Sequence, residues 1–87
     1  MHKGNETMGN IENIIKQILS RKDPHGYFVI IAVKNNESKA IIDKYLRISN
    51  LIIGEVGDVI IIRGRSREVI EKLARSLATR KLLAELK

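Results

Sequence analysis

The sequence has no cysteine, no tryptophan, one proline and 3% aromatic residues. Without cysteine, and with no stretch resembling zinc ligands, neither disulfides nor a structural metal can supplement the core. The strand expected at the sheet centre holds no aromatic on which a base could stack, which argues against an RRM-like RNA reader. No apolar run approaches the roughly 18 residues that cross a bilayer. The opening MHKGNETMGN lacks the apolar segment of a secretory signal. It reads as a polar tail, and Met8 offers an alternative start. A cytoplasmic protein without a membrane partner is the expectation.

Chemistry is equally sparse. His2 and His25 stand alone, so no metal site is expected. Asp43, Glu55 and Asp58 form no recognisable acid–base pair, and no nucleophile elbow, Walker loop or dinucleotide fingerprint occurs. These absences point to a protein that is not an enzyme and carries no cofactor.

What is present fits one small α+β domain. Eighty-seven residues bury only about 60–65% of the surface the unfolded chain exposes, so the core has little surplus. Apolar content of 44% with 30% charged residues is ordinary for a globular protein. The isoleucine-rich core set and high Lys, Arg and Glu content lean toward a thermophile. The net charge is +6, and it is lopsided. From Arg63 to Lys87 eight basic residues face three acidic ones, giving +5, whereas everything before Arg63 sums to +1. Such asymmetry favours an acidic partner, most often nucleic acid.

Periodicity predicts the elements. Ile11, Ile14, Ile15 and Ile18 form a helical stripe, with Asn10 as its cap and residues 1–9 as a flexible tail ahead of a single domain over 10–87. Pro24 ends that helix, and DPHG makes a turn. YFVIIAV, residues Tyr27–Val33, is apolar at both alternating positions, the mark of a strand covered on two sides. A second helix starts at Asn35 or Asn36, its stripe set by Ile41, Ile42, Tyr45, Leu46 and Ile48. Two strands follow near Leu51–Ile53 and Val59–Arg63, joined by a loop containing Gly54, Gly57 and Asp58. GEVG in that loop matches the GxxG of KH domains only superficially, because it joins strands rather than helices. Ser66 caps a long last helix.

The order α-β-α-β-β-α contains a split βαβ unit of ferredoxin-like type, lacking its last strand. The right-handed crossover rule puts the most apolar strand in the middle. The edge of Tyr27–Val33 is then open, which invites a homodimer or a bound partner through Tyr27 and Val29. Ile70, Leu73 and Leu77 define the buried face of the last helix, and its packed stripe ends near Ala78. The final turns are expected to project, exposing Leu82, Leu83 and Leu86 as a docking surface.

One stretch carries most of the charge asymmetry. In RGRSR, Arg63, Arg65 and Arg67 surround Gly64 and Ser66 at a strand-to-helix junction. A helix amino terminus offers unpaired N–H groups, glycine permits close approach, and arginine supplies forked donors. Lys72 and Arg75 extend this surface along the helix, without the tight stripe a groove-reading helix needs. The expectation is a small non-enzymatic accessory protein that binds nucleic acid, or a nucleic-acid-processing protein complex, through phosphate contacts. The element order over about residues 27–78 is also similar to effector domains of the ACT or Lrp-regulator type. That resemblance implies the alternative of a dimeric ligand-sensing or oligomerisation module.

Overall fold

The computed structural model describes residues 3–84, with side chains from residue 11 onward. Helix α1 (Lys3–Ser20), strand β1 (Phe28–Val33), helix α2 (Asn36–Leu46), strands β2 (Leu51–Val56) and β3 (Val59–Gly64), and helix α3 (Arg67–Thr79) follow in the predicted order. The sheet runs β1-β3-β2 and is antiparallel at both pairings. The most apolar strand is therefore central, and β1 and β2 run parallel on either side of it, as a split βαβ unit requires.

Alternation along the strands sorts the side chains. Phe28, Ile30 and Ala32 of β1, with Ile60 and Ile62 of β3, are buried on one face. Ile70, Leu73, Ala74 and Leu77 of α3 pack on them, and Ile15 of α1 and Ile42 of α2 close the cluster from either side. Each large aliphatic removed from water here contributes about 1.5–3 kcal/mol, so α3 supplies much of the core.

Local chemistry sets the boundaries. Asn35 caps α2 in a reciprocal box: its Oδ1 accepts from the Ser38 N–H at 2.8 Å, and Ser38 Oγ accepts from the Asn35 N–H at 3.1 Å. Ser66 Oγ accepts from the Val69 N–H at the start of α3. The β2–β3 hairpin closes through Gly57 and Asp58, with Gly57 at φ 59° where an L side chain would be strained.

Several expectations fail for identifiable reasons. Helix α1 begins at Lys3 rather than at an Asn10 cap, because Gly4 and Gly9 weaken a helix by about 1 kcal/mol each without ending it. Gly54 lies inside β2 instead of in the loop. The last helix does not project. Lys81 adopts φ 61°, its N–H donates to the Ala78 carbonyl, and the Leu82 N–H donates to the Leu77 carbonyl at 2.8 Å. This is a Schellman stop built without glycine. It turns the chain back so that Leu82 is only 6% exposed and Leu83 is half-buried. Neither is the exposed docking leucine expected from periodicity, and Leu86 lies outside the described residues.

The β1 edge is not open either. Leu83 forms an antiparallel bridge with Ala32, the Val33 N–H donates to the Leu82 carbonyl, and the Ala84 N–H donates to the Ile31 carbonyl. Lys22 bridges Phe28 at the other end of the same edge. A homodimer through this edge would have to displace both segments.

Candidate nucleic-acid interface

Asp23 organises the end of the sheet at which the arginines lie. Pro24 excludes it from a helical conformation, and its backbone N–H donates to the Tyr27 carbonyl at 2.8 Å. Its Oδ1 accepts from the N–H groups of His25 and Tyr27, each at 2.9 Å. Gly26, at φ 87°, donates back to the Asp23 carbonyl. The closed loop sets Lys22 abreast of Phe28, and Phe28 is abreast of Gly64 in β3. Segments 21–25 and 63–67 thus share one end of the molecule, although some forty positions separate them in the chain.

Two cations there rest on aromatic faces: Lys22 Nζ is 5.1 Å from the Phe28 ring centroid, and Arg65 Cζ is 4.6 Å from that of Tyr27. Such stacking holds a cation while leaving its outer donors free. Arg63 is opposed by a carboxylate, its Nε lying 3.6 Å from Asp23 Oδ2. The Tyr27 N–H, with smaller contributions from the His25 N–H and from Arg63, holds the Asp23 carboxyl below its ordinary value. Among the described residues, Arg21, Lys22, Arg65 and Arg67 enter no ion pair.

The remaining residues expected at the site have internal tasks. Lys72 lies 3.5 Å from Glu68. Arg75 reaches Glu12 of α1 at 2.6 Å and Glu71 at 3.2 Å. Its guanidinium depresses the Glu12 carboxyl, and the two carboxylates raise the pKa of Arg75 in return. Arg75 thus ties α3 to α1 and Lys72 is matched within α3, so neither adds an unpaired cation to the basic surface. Gly64 is buried, and a Cβ there would fall 2.6 Å from Leu51 Cδ2 and 3.2 Å from Ile70 Cδ1. Packing therefore explains this glycine without an anion. Ser66 is the α3 cap, Tyr27 sits half-buried beneath Arg65, and Val29 lies half-buried on the sheet face away from the core.

Arg21 and Lys22 were not legible as part of this site. Their only sequence signal is an adjacent basic pair before the DPHG turn, and sheet pairing alone brings them to RGRSR. At the opposite end charge is mixed: Lys34 and Lys39 flank Glu55, and Arg80 meets Glu37 at 2.7 Å. The hydrogen bond from Lys34, more than the nearby charges, lowers the Glu55 carboxyl.

A groove of about 560 Å³ runs between α1 and β1, floored by Ile14, Ile18, Val29, Ile31 and Leu83 and ending at Arg21 and Lys22. Among the described residues, no three His, Asp or Glu side chains are grouped to hold a metal ion, and no helix is long and apolar enough to cross a membrane. No family model, curated protein or solved structure matches the chain.

Proposed function

We propose that this protein is a non-enzymatic accessory factor of the cytoplasm that binds the phosphate backbone of nucleic acid, alone or within a nucleic-acid-processing complex. The observation that carries the reading is the convergence of Arg21, Lys22, Arg65 and Arg67, all without carboxylate partners among the described residues, on the sheet end where α3 begins. The first turn of α3 adds backbone N–H groups and the positive end of a helix dipole. Arginine at that turn does nothing for helix stability, which leaves an external anion as its natural complement. The cations are spread around a corner, an arrangement suited to tracking phosphates without reading bases.

The test is fluorescence anisotropy with labelled single- and double-stranded oligonucleotides at low salt. Wild type should bind both with little sequence preference, and Arg65→Glu with Arg67→Glu should remove binding while leaving the circular dichroism spectrum intact. Absence of wild-type binding would refute the proposal. A ligand-sensing module is the second reading, favoured by the groove between α1 and β1, whose volume suits a small molecule. A melting shift with a metabolite, from a protein indifferent to nucleic acid, would select it.

A further inference from the structure

Strands β1 and β3 are apolar at almost every position, the pattern of strands covered on both faces. The described residues cover only one. The helices fill the face carrying Ile30 and Ile62, while Val29, Ile31, Val59 and Ile61 on the other face remain half-buried. On the same face β2 presents Ile52 at 47% exposure and Val56 at 61%. Among the described residues, three of the five large apolar side chains that stand exposed, Val33, Ile52 and Val56, belong to this surface. A solvated sheet face ordinarily alternates to polar residues, and this one does not.

We propose that the uncovered face is a homodimer interface, in which a second copy of this chain stacks sheet on sheet about a twofold axis. Charge selects the occupant. Arg63, loosely opposed to Asp23 at 3.6 Å, is the one charged residue among the face positions of the three strands, so the face carries too little charge to recognise a strongly charged partner. A flat aliphatic surface is, however, complementary to itself. Ile31, Ile61 and Gly54 form its middle row. With the axis along that row, strands of the two copies run in opposite directions and the two basic ends point apart, which minimises repulsion between chains of charge +6. The same arrangement carries Arg63 toward the hairpin turn of the second copy. Asp58 lies in that turn and has no ion pair among the described residues. Gly54 leaves a notch beside Ile61, since a Cβ there would meet nothing within 4 Å.

Area sets the strength. Three six-residue strands present roughly 15 Å by 20 Å, and the Ile14 and Ile18 flank of α1 extends the surface past β1. The total buried is about 1,000 Å², at the small end of specific interfaces, the range of reversible, transient dimers. Because its apolar contact opposes like net charges, added salt strengthens it, whereas salt weakens phosphate binding. The two proposals therefore fail separately.

Sedimentation equilibrium of the full chain, from low micromolar to millimolar concentration, decides the matter. Wild type should pass from monomer to dimer, and so should Ile48→Lys, whose site is 68% exposed in the α2–β2 connection. The pair Ile52→Lys and Val56→Lys should stay monomeric with an unchanged far-ultraviolet spectrum. If that pair unfolds, Val56→Lys alone, at the hairpin end, should raise the dissociation constant at least tenfold. A wild type still monomeric at millimolar concentration, open-ended association, or face variants that dimerise like wild type would each overturn the proposal.

Discussion

The amide of Val33 donates to the carbonyl of Leu82 at 2.7 Å, joining the end of β1 to the chain just after α3. This contact makes residues 82–84 a rudimentary fourth strand on an edge that would otherwise be bare. It depends on Lys81 holding φ 61°, a conformation costly for any residue with a Cβ. Lys81→Gly should therefore raise stability by about 0.5–1 kcal/mol, a shift of several degrees in melting temperature. Leu82→Ala should cost about 2–4 kcal/mol through the cavity it leaves. Urea unfolding of both variants checks the pair.

Gly64 and Gly54 separate packing from solvation. A methyl group at Gly64 meets Leu51, which is half-buried and can rotate, and Ile70, which is fully buried and cannot. Gly64→Ala should lose about 1–2 kcal/mol, while Gly54→Ala, with nothing near its Cβ, should change stability by less than about 0.5 kcal/mol. Equal losses in denaturant titrations would mean that the close packing of β2, β3 and α3 is not what holds Gly64 in place.

Acid should destabilise the fold. Glu12, Asp23 and Glu55 all have carboxyl pKa values lowered in the folded chain, by the Arg75 hydrogen bond, the Tyr27 N–H and the Lys34 hydrogen bond respectively. The unfolded chain then takes up protons first as pH falls, so the contribution is complete above the ordinary carboxylate range and is lost below it. Unfolding free energy should be flat from pH 7 to about 5.5 and fall progressively below about pH 4.5. Asp23→Asn keeps an oxygen acceptor for the Tyr27 N–H but cannot titrate, and should flatten part of that fall. Parallel curves for variant and wild type would contradict the role given to Asp23.

The sequence carried the fold further than the site. Helical stripes through Ile14 and Ile18, and through Ile70 and Leu77, marked two helices, and the apolar run at Val59–Ile62 marked the central strand. Stops made without Gly or Pro were invisible: Lys81 is a lysine in a position usually taken by glycine, so the reversal that buries Leu82 left no trace. RGRSR was legible as a basic junction, but its neighbours were not. Arg21 and Lys22 join it through the Lys22–Phe28–Gly64 lateral pairing, and Arg75 leaves it through Glu12; both are contacts over a long sequence distance. Local patterns report charge, whereas only the fold reports which charges are already matched.

That distinction gives the most direct measurement. The affinity of the full chain for a duplex oligonucleotide should fall with salt at a log–log slope of about −3 to −4, the value for four phosphate contacts. Arg65→Gln with Arg67→Gln should reduce the slope by about 2, while Lys72→Gln with Arg75→Gln should leave it unchanged. No binding at low salt, or a slope lowered equally by both pairs, would contradict the assignment of Arg21, Lys22, Arg65 and Arg67 as the phosphate-binding end.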